Sequence, residues 1–400
     1  MRRKSSYGYN SYSKRPYHYK SYGKGYGHGY YGNNSKKKII AVSLVCAAIA
    51  AGAVCACAYF GVFGDIMQNS VSENSLSKTE TQKRTKQESK AEESSKIPEK
   101  VLKGEFDGNV FIYGDQGFEI FYGSENSAKK YAETVASIKK SLGSDINVYD
   151  ITVPTHSLFA LPEQYKAEGS DETESIKTIY SKIGKNIKTI DVTDSLEKHK
   201  DEYIYFGTDN NWTALGAYYA YVDFCKAADV KSADIKKLPS GEIKNFTGSL
   251  WAATTTEENP KGNKTLAAHP DTVKYYKTDG YCTLLESGSN DPREVTMIAE
   301  FAEGSNAYSA FIWGNNPYKK IETELKTGRK LCIIKDSYGC AFAPFTAESF
   351  DEIFVVDPRY YDGNIIDYIK KNKYTDVLIL NSIMTANTEL RTEELKTIME

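Results

Sequence analysis

One serine stands where a strand-like run of apolar residues meets a helical stretch. Leu331–Ile334 has the pattern of a buried strand, and Lys335, Asp336 and Ser337 follow it directly. At the carboxyl end of a strand in an α/β sheet, a hydroxyl projects from the sheet edge, and N–H groups of the next turn can stabilise an oxyanion. The position predicts a nucleophile at Ser337. A helix N-cap, which is a common use of serine and needs no chemistry, is the alternative.

The elements around this serine alternate between strand and helix. The predicted strands are Val110–Tyr113, Ile146–Val153, Ile187–Ile190, Leu331–Ile334, Ile353–Val356 and Val377–Leu380. The predicted helices are Ser124–Leu142, Ser175–Ile183, Ala214–Ala228, Ile365–Lys371 and a stretch near Ala341. Short strands without strict polar alternation, each followed by a helix, predict an α/β fold with a parallel sheet covered on both faces.

One region departs from this alternation. Residues Lys231–Lys326 are poorer in the strand-helix pattern, and we expect a mixed or antiparallel insertion there. Thr247–Ala252 and Val295–Ala299 have no decisive pattern, whereas Tyr203–Phe206 is strand-like.

A second polar block follows Tyr203–Phe206 and leads into the predicted helix Ala214–Ala228. It reads Asp-Asn-Asn-Trp-Thr over residues 209–213. This block resembles the signature of the DHHW protein family, Asp-His-His-Trp-Thr followed by a Gly-Ala-Tyr-Tyr-Ala-Tyr helix. Other blocks are similar to the family in the expected order across most of residues 101–387, namely Gly117–Phe121, Val153–Thr155, Lys335–Tyr338, Val356–Tyr360 and Asp376–Asn381.

The resemblance implies a fold and an activity. The DHHW family is similar to the SGNH-hydrolase-like domains of bacterial alginate O-acetyltransferases, which implies a flavodoxin-like core and extracytoplasmic acetyl transfer onto polysaccharide. In those relatives a serine is the nucleophile, and an Asp and a His two residues apart orient and supply the base. Carried over by position, these roles fall on Ser337, Asp209 and Asn211. An Asn there departs from the family, because an amide lacks the basicity to activate a hydroxyl.

Three hypotheses follow from this departure. The first is a pseudoenzyme that keeps the cleft, since loss of a triad base costs on the order of 10⁶ in turnover in a well-studied hydrolase. The second is a relocated base at His156, which follows Val153–Thr155 at a predicted strand end. The third is a weak esterase or transferase that relies on an oxyanion hole, which leaves ~10³ to 10⁴-fold acceleration over water.

Neighbouring polar and aromatic residues complete the predicted site. Asn210 and Trp212 lie in the motif block, and Trp212 could stack on a sugar ring or pack in the core. Asp336 could tune the nucleophile or favour a helix N-terminus electrostatically. Arg359 and Asn381 follow predicted strands and could bind a carbonyl or a sugar hydroxyl, against a purely structural role.

Charge divides the 400-residue chain. The first 38 residues carry ten Lys or Arg and no acidic residue, so the net charge of −2 hides a basic tail and an acidic remainder. An acidic main body argues against nucleic-acid binding. The tail is rich in Tyr, Gly and Ser, and is predicted to be a disordered cytoplasmic segment, 1–38.

An uncharged stretch, 39–63, follows the basic tail. Its 25 residues can cross a bilayer as one helix, and the excess of cations before it predicts a cytoplasmic N-terminus. A cleaved signal peptide and a lipoprotein site are the alternatives. Residues 64–100 read as a disordered extracytoplasmic linker, and 101–400 as the DHHW/SGNH-like domain. The predicted location is therefore the cell membrane, with the main domain outside.

Cysteine spacing and the absence of known motifs argue against a bound metal or cofactor. No CxxC, HExxH, GxGxxG, P-loop or GxSxG motif occurs, so the sequence predicts no cofactor and no metal site. Cys225, Cys282, Cys332 and Cys340 are predicted to be buried free thiols.

Two function classes remain open. One is a Ser337-dependent carbohydrate O-acetyltransferase or esterase, which the resemblance pairs with a multi-pass membrane acyltransferase. The other is an anchored module that binds a carbohydrate polymer through the same cleft without chemistry. Asn211 favours the second class, and the presence of Ser337 and Asp209 favours the first.

Overall fold

The computed structural model describes residues 102–400. The predicted tail (1–38), membrane span (39–63) and linker (64–100) lie outside the described residues. Across residues 102–400, every helix is too short or too polar to cross a membrane.

The strands of the described chain are β1 (Glu105–Asp107), β2 (Val110–Tyr113), β3 (Gln116–Phe118), β4 (Asn147–Val153), β5 (Lys188–Thr189), β6 (Ser240–Phe246), β7 (Asp271–Tyr276), β8 (Tyr281–Leu285), β9 (Arg293–Val295), β10 (Tyr318–Glu322), β11 (Lys330–Lys335), β12 (Glu352–Val356) and β13 (Asp376–Ser382). The helices are α1 (Glu125–Leu142), α2 (His156–Ala160), α3 (Glu163–Lys166), α4 (Glu172–Ile183), α5 (Thr193–Lys198), α6 (Ala214–Ala228), α7 (Ser249–Ala253), α8 (Lys264–Ala268), α9 (Tyr338–Thr346), α10 (Ile365–Lys371), α11 (Ile383–Ala386) and α12 (Glu389–Thr397).

A mixed sheet forms the centre of the fold. Its strand order is β5-β4-β13-β11-β12-β10-β8-β9. The first five strands are parallel, and β10, β8 and β9 add an antiparallel edge. The α/β prediction is confirmed, but the sheet is mixed because the Lys231–Lys326 region supplies antiparallel strands to it. Two smaller antiparallel groups, β1-β2-β3 and β6-β7, lie outside this sheet.

Both faces of the central strands are buried, as the lack of polar alternation predicts. On β11, Leu331 and Ile333 pack with α6 and α9, whereas Cys332 and Ile334 pack with α1, α4 and α10. Successive side chains of a strand point to opposite faces, so a strand covered on both sides must be apolar throughout. This arrangement leaves the ends of the strands as the places where polar groups reach solvent.

The helix that follows the motif block begins and ends where the sequence predicts, at Ala214 and Ala228. Its N-cap is Thr213, whose Oγ1 accepts hydrogen bonds from the backbone N–H groups of Leu215 and Gly216. The prediction of a strand at Tyr203–Phe206 is wrong. Only an isolated bridge between Tyr205 and Trp212 forms there.

Local hydrogen bonds explain that difference. The N–H of Phe206 donates to the carbonyl of Asn211, and the N–H of Thr213 donates to that of Ile204. The segment therefore satisfies its backbone groups against its own motif block rather than against a neighbouring strand.

The two ambiguous segments also resolve. Thr247–Ala252 falls in the loop before α7 and in α7 itself, and only Val295 of Val295–Ala299 belongs to a strand. The cysteines at 225, 282, 332 and 340 are buried and free, as predicted.

Candidate active site

Three parallel strands end together at one edge of the sheet. Ser382 of β13 pairs with Val153 of β4, and Lys335 of β11 pairs with Leu380 of β13. The chain continues from β11 into Asp336 and Ser337, and from β4 towards α2. The polar residues after these strands therefore meet at one edge, as expected for a parallel sheet.

Ser337 does not use its hydroxyl to cap α9. Its backbone is helical (φ −60°, ψ −28°), and its side chain makes no capping hydrogen bond. Asp336 caps instead, because its Oδ1 accepts the N–H of Tyr338 at 2.9 Å and its Oδ2 accepts the N–H of Ser382 at 2.8 Å. The Ser337 carbonyl accepts a hydrogen bond from the Tyr308 hydroxyl at 2.9 Å. The half-buried Ser337 hydroxyl is left available for another partner.

Asp209 is buried and anchored by amides. Its Oδ1 accepts the backbone N–H of Asn211 at 2.9 Å and the side-chain amide of Asn211 at 2.6 Å. Its Oδ2 accepts the N–H of Ser249 at 2.8 Å. A Cβ on Gly248 would lie 2.3 Å from the Asp209 Cβ, so only glycine permits this approach.

The motif block has a second support in Asp271 of β7. This buried carboxylate accepts the N–H of Gly207 at 2.9 Å and the N–H of Thr208 at 2.7 Å. The hydroxyls of Thr208 and Tyr203 also donate to it. Four donors to one carboxylate hold the entry of the block in place without any help from residue 211.

Asn211 copies the hydrogen-bond pattern of a histidine but not its basicity. An ionised carboxylate only accepts, so the atom of Asn211 that faces Asp209 must be the amide nitrogen. The Oδ1 atom therefore points away from Asp209. It is buried and has no hydrogen-bond partner among the described residues, in a side chain that is 4% exposed. Such an acceptor can receive a hydrogen bond but cannot remove the serine proton.

The structure brings the two motif blocks into contact. The indole N–H of Trp212 donates to the Tyr338 carbonyl at 2.9 Å, and the Tyr338 hydroxyl donates to the Asn210 carbonyl. The rings of Trp212 and Tyr338 lie 5.4 Å apart. Tyr338, the residue after Ser337, is thus hydrogen-bonded to Trp212 and Asn210, the two residues that flank Asn211 in the chain.

Glu119 joins the site from a third segment, after β3. Its Oε2 accepts the side-chain amide of Asn210 at 3.2 Å. Burial raises the pKa of Glu119, the hydrogen bond from Asn210 lowers it, and the charges of Asp209 and Asp336 raise it further. Sequence reasoning placed Glu119 inside a family-like block but gave it no role. The feature that could have indicated a site residue is the position of Glu119 directly after the short strand β3.

His156 lies at the same sheet edge, is half-buried and packs against two aromatic rings. Its imidazole stacks on Tyr205 at 5.1 Å and packs against Phe118 at 5.0 Å. Its Nδ1 is buried without a partner, and burial lowers its pKa to about 4. No hydrogen bond joins His156 to Ser337 or to the motif block among the described residues.

Other predicted binding residues have partners within the protein. Trp212 is fully buried, so the idea that it stacks on a sugar is wrong. Asn381 is also buried, and its amide donates to the Tyr131 hydroxyl at 3.2 Å. Arg359 directs Nε and Nη2 onto Asp357 at 2.8 and 2.6 Å. These side chains already have protein partners that explain their positions.

Residues 102–400 contain no group of three or more His, Cys, Asp or Glu arranged to hold a metal ion.

Comparisons with known proteins agree with this architecture. A model of the DHHW protein family matches residues 92–356. The crystal structure of a DHHW family protein from Eubacterium siraeum is 34% identical and aligns with a TM-score of 0.67, covering 73% of this chain and 96% of that one. The structure of Bacillus cereus PatB1 with a sulfonyl adduct is 14% identical, with a TM-score of 0.58 over 73% of this chain and 99% of that one. A search of curated proteins finds no match.

Proposed function

The chain belongs to the DHHW protein family, and from that membership we propose an extracytoplasmic domain that binds cell-envelope or extracellular polysaccharide with impaired O-acetyl chemistry. The observation that carries this proposal is the orientation of Asn211. Its amide nitrogen donates to Asp209, and its Oδ1 is buried and unpartnered among the described residues, at the residue that the resemblance equates with the family's base.

Impairment follows from proton transfer. Attack by the Ser337 hydroxyl on an acetyl ester requires a group that accepts its proton, and an amide oxygen is too weak a base for this. Positioning of the serine alone leaves only the residual acceleration of a site without its base. A site that keeps its shape and loses turnover is suited to binding a glycan or to helping assemble one.

We also propose where the domain works. The 25-residue uncharged stretch at 39–63, with lysines immediately before it, would anchor the chain once in the membrane with the tail in the cytoplasm. The domain would then face the cell envelope. A multi-pass membrane acyltransferase is the partner expected if acetyl groups are transferred at all.

An active serine enzyme with a relocated base is the second candidate. His156 supports it in one respect, because a pKa of about 4 keeps the imidazole neutral throughout the physiological range. Against it, the same lowered pKa makes the imidazole a weaker base, and its ring packs against Phe118 and Tyr205.

The test compares variants of the full chain purified in detergent. We expect little acetate release from 4-nitrophenyl acetate or from a peracetylated sugar by the native chain. Asn211→His should raise the rate by about 10² to 10⁴-fold, the usual contribution of general base catalysis. The double variant Asn211→His with Ser337→Ala should lose that gain.

A covalent probe gives a second readout. A sulfonyl fluoride should react with Ser337 in the Asn211→His variant, with loss of fluoride and a proton, and much more slowly in the native chain. Robust native activity that disappears in His156→Ala would overturn the impaired-site proposal and support the relocated base.

A further inference from the structure

Two acceptor oxygens at the candidate site lack a donor, beside the free hydroxyl of Ser337. Glu119 receives the side-chain amide of Asn210 on its Oε2 atom. Within the described chain, the Oε1 atom of Glu119 accepts no hydrogen bond, and the buried Oδ1 of Asn211 is also unpartnered. Leaving a buried acceptor without a donor is unfavourable, so a ligand that supplies a donor to Asn211 is favoured.

Negative charge accumulates at the same place. Asp336 directly precedes Ser337, and Asp209 adjoins Asn210, the amide partner of Glu119. Burial raises the pKa of Glu119, and the charges of Asp209 and Asp336 raise it further. Carboxylates that lie close together repel a further anion.

The cations beyond this edge are already paired. Arg359 forks onto Asp357, and the buried Lys335 ammonium contacts Asp357 at 3.1 Å and the Asn315 amide oxygen at 2.7 Å. Neither cation is free to neutralise a carboxylate on a ligand without breaking a buried ion pair, which costs several kcal/mol.

We propose that this site selects a neutral or amino-bearing glycan, which donates hydrogen bonds to Asn211 and Glu119, and that it rejects uronate polymers. The inference rests on the glycan-binding function proposed above. Sugar hydroxyls and ammonium groups supply donors, whereas a uronate would place a carboxylate against Glu119 and Asp209. Glu119 is the residue that sets this preference, since its second oxygen is open and its charge is not paired with a cation.

The experiment measures binding of three hexasaccharides to the full chain in detergent micelles by calorimetry. The probes are a glucosamine hexamer, cellohexaose and a galacturonate hexamer, at pH 6 and at low and moderate salt. We expect the glucosamine hexamer to bind at least tenfold more tightly than the galacturonate hexamer. Glu119→Gln should reduce that ratio about tenfold and change cellohexaose binding little.

Two variants separate recognition from general charge. Asn211→Ala removes the unpartnered acceptor. It should weaken the binding of both the glucosamine hexamer and cellohexaose by about fivefold, the effect of losing one hydrogen bond. Glu133→Gln removes a charge from the exposed face of α1 and should leave all three affinities unchanged.

The outcomes distinguish the two proposals. Equal or tighter binding of the galacturonate hexamer, or a preference unaffected by Glu119→Gln, would overturn this inference and leave the glycan-binding function in place. Absence of binding by all three oligosaccharides would overturn both.

Discussion

The turn at Ser337 and the motif block at 209–213 differ in what holds them and in what they offer. The turn keeps its reactive group free, because Asp336 performs the capping that a serine often performs. The block is supported by Asp271, by Gly248 and by the bond from Trp212 to the Tyr338 carbonyl, and it carries an amide at residue 211.

This comparison separates positioning from chemistry. The supports of the block act on its backbone, on Asp209 and on Trp212, and they tolerate Asn211 because its amide donates to Asp209 as an imidazole N–H would. Under the proposed function, proton transfer depends on the atom of residue 211 that faces away from Asp209. Variants that disturb the supports and variants that change residue 211 should therefore have different effects.

The largest effect is expected for Gly248→Ala placed in the Asn211→His background. The new Cβ would lie 2.3–2.4 Å from the Asp209 side chain and must displace it, so the introduced imidazole would lose its orienting partner. We expect the gained esterase rate to fall on the order of 10³-fold, as when a triad aspartate is altered. Steady-state hydrolysis of 4-nitrophenyl acetate measures this.

Gly363→Ala in the same background is the control, because its Cβ would meet only the end of the Tyr361 ring, at 3.2 Å. Equal rates in the two glycine variants would show that Asp209 does not need its present position.

The next effect concerns stability. Asp271→Asn turns one acceptor oxygen into an amide that faces buried donors from Tyr203, Gly207 or Thr208. The free energy of unfolding should fall by about 3 kcal/mol, since a charged buried acceptor is lost and donors are left unmatched. Denaturant titration measures it, with Asp362→Asn on the exposed surface as the control. A change equal to the control would mean that the block does not depend on Asp271.

A smaller loss of stability is expected at the contact between the turn and the motif block. Trp212→Phe removes the bond to the buried Tyr338 carbonyl and some packing, so the free energy of unfolding should fall by about 2 kcal/mol. Trp251→Phe is matched, because its indole donates to a carbonyl in an exposed setting, and should cost less than about 1 kcal/mol. Equal losses in thermal unfolding would argue that the contact between the regions carries no special stability.

The smallest effect tests His156. Its folded pKa of about 4 lies below its unfolded value, so its contribution to stability is present above pH 6.5 and is lost as the pH falls towards 4. His156→Phe should keep the stacking with Tyr205 and reduce the fall of the melting temperature over that interval. If His156 were instead the relocated base, the same variant would abolish esterase activity and leave the acid slope of unfolding unexplained.

The local pattern of apolar residues was enough to predict much of the fold. The bounds of α6 and α10 agree with the predicted helices, and β4, β11, β12 and β13 lie within one or two residues of the predicted strands. These elements are long enough, or buried enough on both sides, for hydrophobic spacing to reveal them. The segment Tyr203–Phe206 was misread because its apolar residues face the core while its backbone bonds a loop.

The candidate site was less accessible to sequence reasoning. Ser337, Asp209 and Asn211 were identified by their motif blocks, and their catalytic roles remain predictions. Glu119 escaped because its role depends on a partner 91 positions away, Asn210. For Trp212 and Asn381 the sequence left both sugar binding and a structural role open, and both side chains are buried.

The amino-acid sequence by itself determined the strands and helices with strong hydrophobic spacing, the family and the presence of an amide at position 211, because these depend on neighbouring residues or on identity alone. Tertiary structure decided which way the Asn211 amide faces, that His156 packs against two rings, and that Trp212 spans 126 positions to the Tyr338 carbonyl. Those outcomes depend on which distant groups share a buried space. There, each donor and acceptor must find its partner in three dimensions.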